Sequence, residues 1–142
     1  MPPERSPGFL RHMMSFHLTG AALSGTGQLL VVDSLVLGFR FWIEKLIFVT
    51  QDTLVGAGGV QTFNLRKGGV AGTVIATVAP TIAANAVMGT VLADSLVAGT
   101  EDGAGRFLDA DALTIERAAG GTAFSAGSAE LYVLLREKAQ GR

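Results

Sequence analysis

The stretch that most constrains this chain is Phe39–Thr50, FRFWIEKLIFVT. It is dense in aromatic and β-branched side chains, which suit a pleated, half-buried surface. Taken as extended chain, it puts Phe39, Phe41, Ile43, Ile47 and Val49 on one side, with Lys45 as the exception. Arg40, Trp42, Glu44, Leu46 and Phe48 fall on the other. A helix would also line up Phe41, Lys45 and Phe48, but the side-chain types favour a strand. At about 3.3 Å per residue the segment reaches about 40 Å, enough for two strands or one long strand through a bent sheet.

Such a strand needs partners. Ser15–Thr19, Leu29–Val36 (bent at Asp33–Ser34), Val60–Leu65 and Gly72–Val78 read as strands, the last ended by Pro80. Ala112–Arg117 and Ser128–Leu135 alternate more clearly still. Gly20–Gly27, Gln51–Gly59, Arg66–Gly69, Ala98–Arg106 and Ala118–Gly121 read as loops or turns. Thr81–Val97 is ambiguous: Ile82, Ala86, Val87 and Met88 suit a short helix, and Thr90–Leu92 a strand. About eight short strands, with no βαβ rhythm, suit a sandwich or jelly roll. The 19 glycines are consumed by its turns. The expected fold is all-β, a jelly-roll or related antiparallel β-sandwich over residues 15–142. An extended N-terminal arm, Met1–Met14, precedes it. Pro2, Pro3 and Pro7 oppose helix and central strand there, and Phe9 and Leu10 offer an apolar anchor. The arm is either a frayed end or a segment that docks on a neighbouring copy.

The 142 residues suit one domain and are 49% hydrophobic but only 16% charged, against a usual charged share of about 25%. Low charge implies that other chains cover part of the surface. The net charge is −1 and there is no basic block, which argues against nucleic-acid and anionic-membrane partners. Leu29–Val49 has the length of a membrane span, yet Asp33, Arg40, Glu44 and Lys45 interrupt it. The N-terminal sequence lacks the apolar run of a secretion signal. The chain is expected to be made in a cytoplasm and to stay soluble until it assembles.

Chemistry-bearing patterns are weak. Cysteine is absent, and the two histidines, His12 and His17, lack zinc spacing. Asp109 and Asp111 lack the glycine and glutamate of a calcium loop, and Glu101–Asp102 lies in a loop. Gly56–Gly59 and Gly68–Gly72 miss the phosphate-binding pattern, and Ser24 misses the nucleophile elbow. The expectation is no enzyme, no catalytic residue, no cofactor and no metal. Trp42 and Tyr132 lie on the less apolar faces of their strands, either as ligand-stacking platforms or at an interface or core edge. With Phe9, Leu10 and Phe16 they are the candidate partner interface.

The order of FRFWIEKLIFVT, QDTLVGAGG, TFNLRKGG, ALTIERAAGG and SAELYVLL, over Phe39–Leu135, resembles small jelly-roll decoration (cement) or head-fibre-base proteins of tailed bacteriophages. The resemblance implies a homotrimer on three-fold or quasi-three-fold points of a capsid surface, bound to the major capsid protein or other virion subunits. It supplies no catalytic residues. Two other classes stand beside it: a carbohydrate- or receptor-binding sandwich of a fibre or tail, and a small cupin-type enzyme.

Overall fold

The structure is a computed structural model that describes residues 9–97 and 105–138. Its strands are β1 (Phe9–Leu18), β2 (Leu29–Leu35), β3 (Phe41–Thr50), β4 (Phe63–Lys67), β5 (Thr73–Val78), β6 (Val91–Leu96), β7 (Arg106–Phe107), β8 (Leu113–Arg117) and β9 (Ala129–Lys138), with a one-turn helix α1 (Ala21–Ser24). One sheet has the order β1-β9-β3-β6, with β7 also on β3, and the other the order β2-β8-β4-β5. Neighbours are antiparallel throughout. With β7 set aside, every connection but β4–β5 crosses between the sheets, which is the winding of an eight-stranded jelly roll. The expected all-β sandwich is the fold of this chain.

The sandwich is filled by phenyl rings. Phe41, Phe48, Phe63, Phe107 and Phe124 are buried with Leu46, Leu65, Leu113, Ile115 and Leu131. Phe41 stacks on Phe107 with ring centres 4.7 Å apart, and Phe48 meets Phe63 across the sheets at 5.7 Å. The phenyl pairs pack in the offset geometries that aromatic quadrupoles favour.

Strand β3 departs from its expected alternation. Ile43 opposes Leu135, but the next pairing is Lys45 with Leu134, so Glu44 is an extra residue. A bulge of this kind inverts every side chain after it. Phe41 and Ile43 face the core before Glu44, and Leu46 and Phe48 face it afterwards. Ile47 and Val49, which unbroken alternation puts on one side with Phe41 and Ile43, turn outward and are half-buried.

The arm boundary also moves. β1 pairs with β9 through ten successive partners, from Phe9↔Lys138 to Leu18↔Ala129, without a register shift. Residues 9–14 are therefore an edge strand of the first sheet rather than a free arm. The reason lies in the even positions: Met14 and Phe16 pack against the core and Leu18 is part of it. Residues 1–8, with all three prolines of the expected arm, lie outside the described residues.

Thr81–Val97 forms no helix: Thr81 and Ala86 make single bridges to Val60 and Leu54, and β6 follows. Residues 98–104 of the expected loop, and residues 139–142, fall outside the described residues. At one end of the sandwich the loops are tied together. Val60 exchanges hydrogen bonds with Thr122, Leu54 with Ala86, and Val55 bonds Ala126 and Ser125. Arg117 donates to the Gly27 carbonyl through Nε (3.0 Å) and Nη2 (2.6 Å), and Gln61 Nε2 donates to Gly25 (2.9 Å). These bonds pin the β1–β2 loop against the core.

Candidate functional site: the outer face and edge of the first sheet

Alternation on β9 fixes which residues reach the outer face. Ala129, Leu131, Val133 and Leu135 are buried, so Glu130, Tyr132, Leu134 and Arg136 point away from the core. Following the pairings across β1, β9, β3 and β6 gives three rows. The first is Met13, Leu134, Lys45; the second is Ser15, Tyr132, Ile47, Asp94; the third is His17, Glu130, Val49, Val91. Met13 is 64% and Val91 58% exposed, while Ile47, Val49, Tyr132 and Leu134 are half-buried against one another. Polar contacts cross this face: His17 Nδ1 hydrogen-bonds Glu130 at 2.7 Å, and ion pairs join Lys45 Nζ to Asp94 at 3.2 Å and Arg11 Nε to Glu44 at 3.4 Å. The result is an apolar band with its charges paired locally.

The outer face of the second sheet differs. There Glu116 accepts hydrogen bonds from Gln28 Nε2 (2.6 Å), Arg66 Nε (3.1 Å) and Asn64 Nδ2 (3.4 Å). Thr77 in turn donates to Asn64 (2.7 Å). The network is saturated and covered, so it holds the sheet and the β1–β2 loop rather than awaiting a ligand.

The expected interface residues are not all brought together. The Phe9 backbone pairs with Lys138, and its side chain is outside the description. Leu10 is 54% exposed at the start of β1. Phe16 faces inward, half-buried against the core. Of the alternatives the sequence leaves for Trp42, the structure places it at the core edge: it is only 5% exposed, with the Arg136 guanidinium 5.6 Å over its ring. Tyr132 lies within the second row, its hydroxyl accepting from Gln51 Nε2 at 3.4 Å. Sequence reasoning missed Met13, Ile47, Val49, Val91 and Leu134. The one signal that could have found the β3 pair was Lys45 itself, an odd charge in an apolar series that a bulge explains.

The histidines do not converge. His12 bonds Glu137 at 3.0 Å and His17 bonds Glu130, each tying β1 to β9. Asp111 accepts the Leu108 N–H at 2.8 Å, closing a turn. Glu101 and Asp102 lie outside the described residues. Among the described residues, no three His, Cys, Asp or Glu side chains gather as metal ligands. No helix among them is long and apolar enough to cross a membrane. A shallow depression of about 330 Å³ lies along Thr81–Val87, Thr90 and Leu92, lined mainly by alanine and other small groups.

No protein-family model matches the sequence, and no curated protein matches it. Similar solved structures include a chain of Bacillus endospore appendages, which form a family of disulfide-linked pili. It is 17% identical over 97% of each chain, with a TM-score of 0.45. Another is a chain of the cyanophage Pam1 capsid asymmetric unit, 15% identical, covering 96% of this chain and 91% of that one, with a TM-score of 0.44. Likenesses this distant do not carry a function across.

Proposed function

We propose that this chain is a non-enzymatic virion structural protein, a capsid decoration or cement protein that braces a head shell as an oligomer. The observation that carries the reading is the apolar band on the outer face of the first sheet. Eight-stranded jelly rolls serve as viral capsid domains, lectins and cupins. A cupin works inside its barrel, whereas this interior is filled by phenylalanines. A lectin stacks sugars on an exposed ring, whereas Trp42 is covered by Arg136. The remaining use of such a fold is through its surfaces. Tyr132, Ile47, Val49 and Val91 offer apolar area whose neighbouring polar groups already have partners, which suits a flat protein partner such as the major capsid protein. Several copies held together would sum weak contacts through effective concentration.

The test is gradient purification of phage particles from producing cells, followed by immunolabelling and reconstruction. The protein should travel with filled heads and occupy symmetry-related positions with the first sheet toward the shell. Recovery only in the particle-free fraction would remove the virion reading.

A further inference from the structure

We propose that β1 is a self-pairing edge, and that two copies join β1 to β1 antiparallel to make one continuous sheet. This dimer would be the oligomeric unit of the structural role proposed above.

The four sheet edges are unequal. β2 carries two register shifts and a residue at positive φ, Ser34 (φ 53°). β5 and β6 are six residues long, and the pairing of each with its neighbour is shifted once. Short, bulged edges resist pairing with other chains. β1 has none of these protections. It runs ten residues without a bulge and contains no proline. Among the described residues nothing pairs with its second side. A row of unsatisfied N–H and C=O groups along a straight strand specifies one kind of occupant, another strand.

The sequence of β1 makes a second β1 a suitable occupant. A two-fold axis normal to the sheet keeps outer face beside outer face only when it passes through a residue, because side chains alternate with period two. Centred on Arg11, the register opposes two guanidinium groups; centred on His12, two imidazoles. Centred on Met14, it sets Arg11 against the partner's His17. Centred on Met13, it pairs residues 9–17 and avoids all three. Met13 then meets the partner's Met13, Arg11 meets the partner's Ser15, and the exposed Leu10 meets the partner's Phe16. The Met13–Leu134 rows of the two copies also merge, so the apolar band doubles in width across the junction. This geometry is two-fold, in place of the trimer implied by the resemblance.

The experiment uses the whole chain, with native mass spectrometry and sedimentation equilibrium. The wild type should be a dimer. Met13→Lys and Met13→Glu, changes at an exposed side chain, should each be monomeric and folded, with a cooperative unfolding midpoint that no longer rises with concentration as the dimer's does, because each opposes like charges at the axis. An equimolar mixture of the two should form the heterodimer. Hydrogen exchange should show β1 amides gaining protection with concentration in the wild type, while β3 amides stay protected throughout. A wild type that remains monomeric, a trimer, variants that still dimerise, or a mixture that yields no heterodimer would each overturn the pairing. A trimer would do so while leaving the virion role standing; absence from particles would remove that role while leaving the dimer.

Discussion

At the scale of single residues, Glu116 is the side chain whose environment is most tightly determined. Its carboxylate is only 3% exposed. Burial alone would raise its pKa. The hydrogen bonds from Gln28, Asn64 and Arg66, with the charge of Arg66, outweigh burial and hold it below the ordinary carboxylate value. A carboxyl depressed in the folded state binds fewer protons there than in the unfolded chain. Its contribution is therefore complete above the unfolded-state pKa, about 4.3, and is lost as pH falls through the lower folded value. Glu116→Gln should cost about 1–3 kcal/mol at neutral pH. The gap between variant and wild type should close on acidification, as read by urea denaturation at stepped pH. A gap that stays constant into acid would contradict the ionised network. Gly121 is constrained by backbone instead. It sits at φ +83°, and a Cβ there would collide with the Val60 carbonyl. Gly121→Ala should therefore cost more than about 1 kcal/mol, the more so because Val60 bridges both Thr81 and Thr122. A wild-type thermal midpoint for this variant would count against that turn.

At the scale of elements, most strands were legible because alternation and turn glycines agree. Phe63 and Leu65 on β4, Leu113 and Ile115 on β8, and the odd residues of β9 are buried as the pattern implies. β3 was legible in existence but not in phase. A bulge is a fact of pairing between strands, and nothing local to IEKLI states that β9 will skip Glu44. The arm was misjudged for a related reason: β1 gains its order from ten partners on β9, more than a hundred positions away in sequence. The candidate surface followed the same divide. Tyr132 was found because β9 alternates simply, and Ile47 and Val49 were missed because they lie beyond the bulge. The inversion has a direct test in neighbouring residues of equal size. Leu46→Ala should cost about 2–5 kcal/mol and Ile47→Ala about half that or less, since only the first empties a filled core site. Equal costs, or the reverse order in denaturant titrations, would restore the unbroken alternation.

At the scale of the whole molecule, the fold separates two surfaces of one sheet that can be broken independently. The edge of β1 governs how copies meet one another. The band at Ile47, Val49 and Val91 lies beyond β9, two and three strands from that edge, and faces a different direction. If the band holds the shell and the edge holds the dimer, the two classes of variant should part company. Ile47→Lys puts a charge in the middle of the band at a half-buried outward site. It should leave both fold and dimer intact and abolish co-sedimentation with shells stripped of the protein. Met13→Lys should leave the band largely in place but reduce each unit to a single point of attachment. Losing a tethered second site lowers apparent affinity by about 10²–10⁴-fold without changing any contact at the first. Met13→Lys should therefore still occupy shells, but only at concentrations higher by about that factor. Both variants failing equally would mean that edge and band are one site. Retention of full shell affinity by Ile47→Lys would move the shell contact off this face, to another exposed apolar site such as Val87–Met88, 66% and 70% exposed.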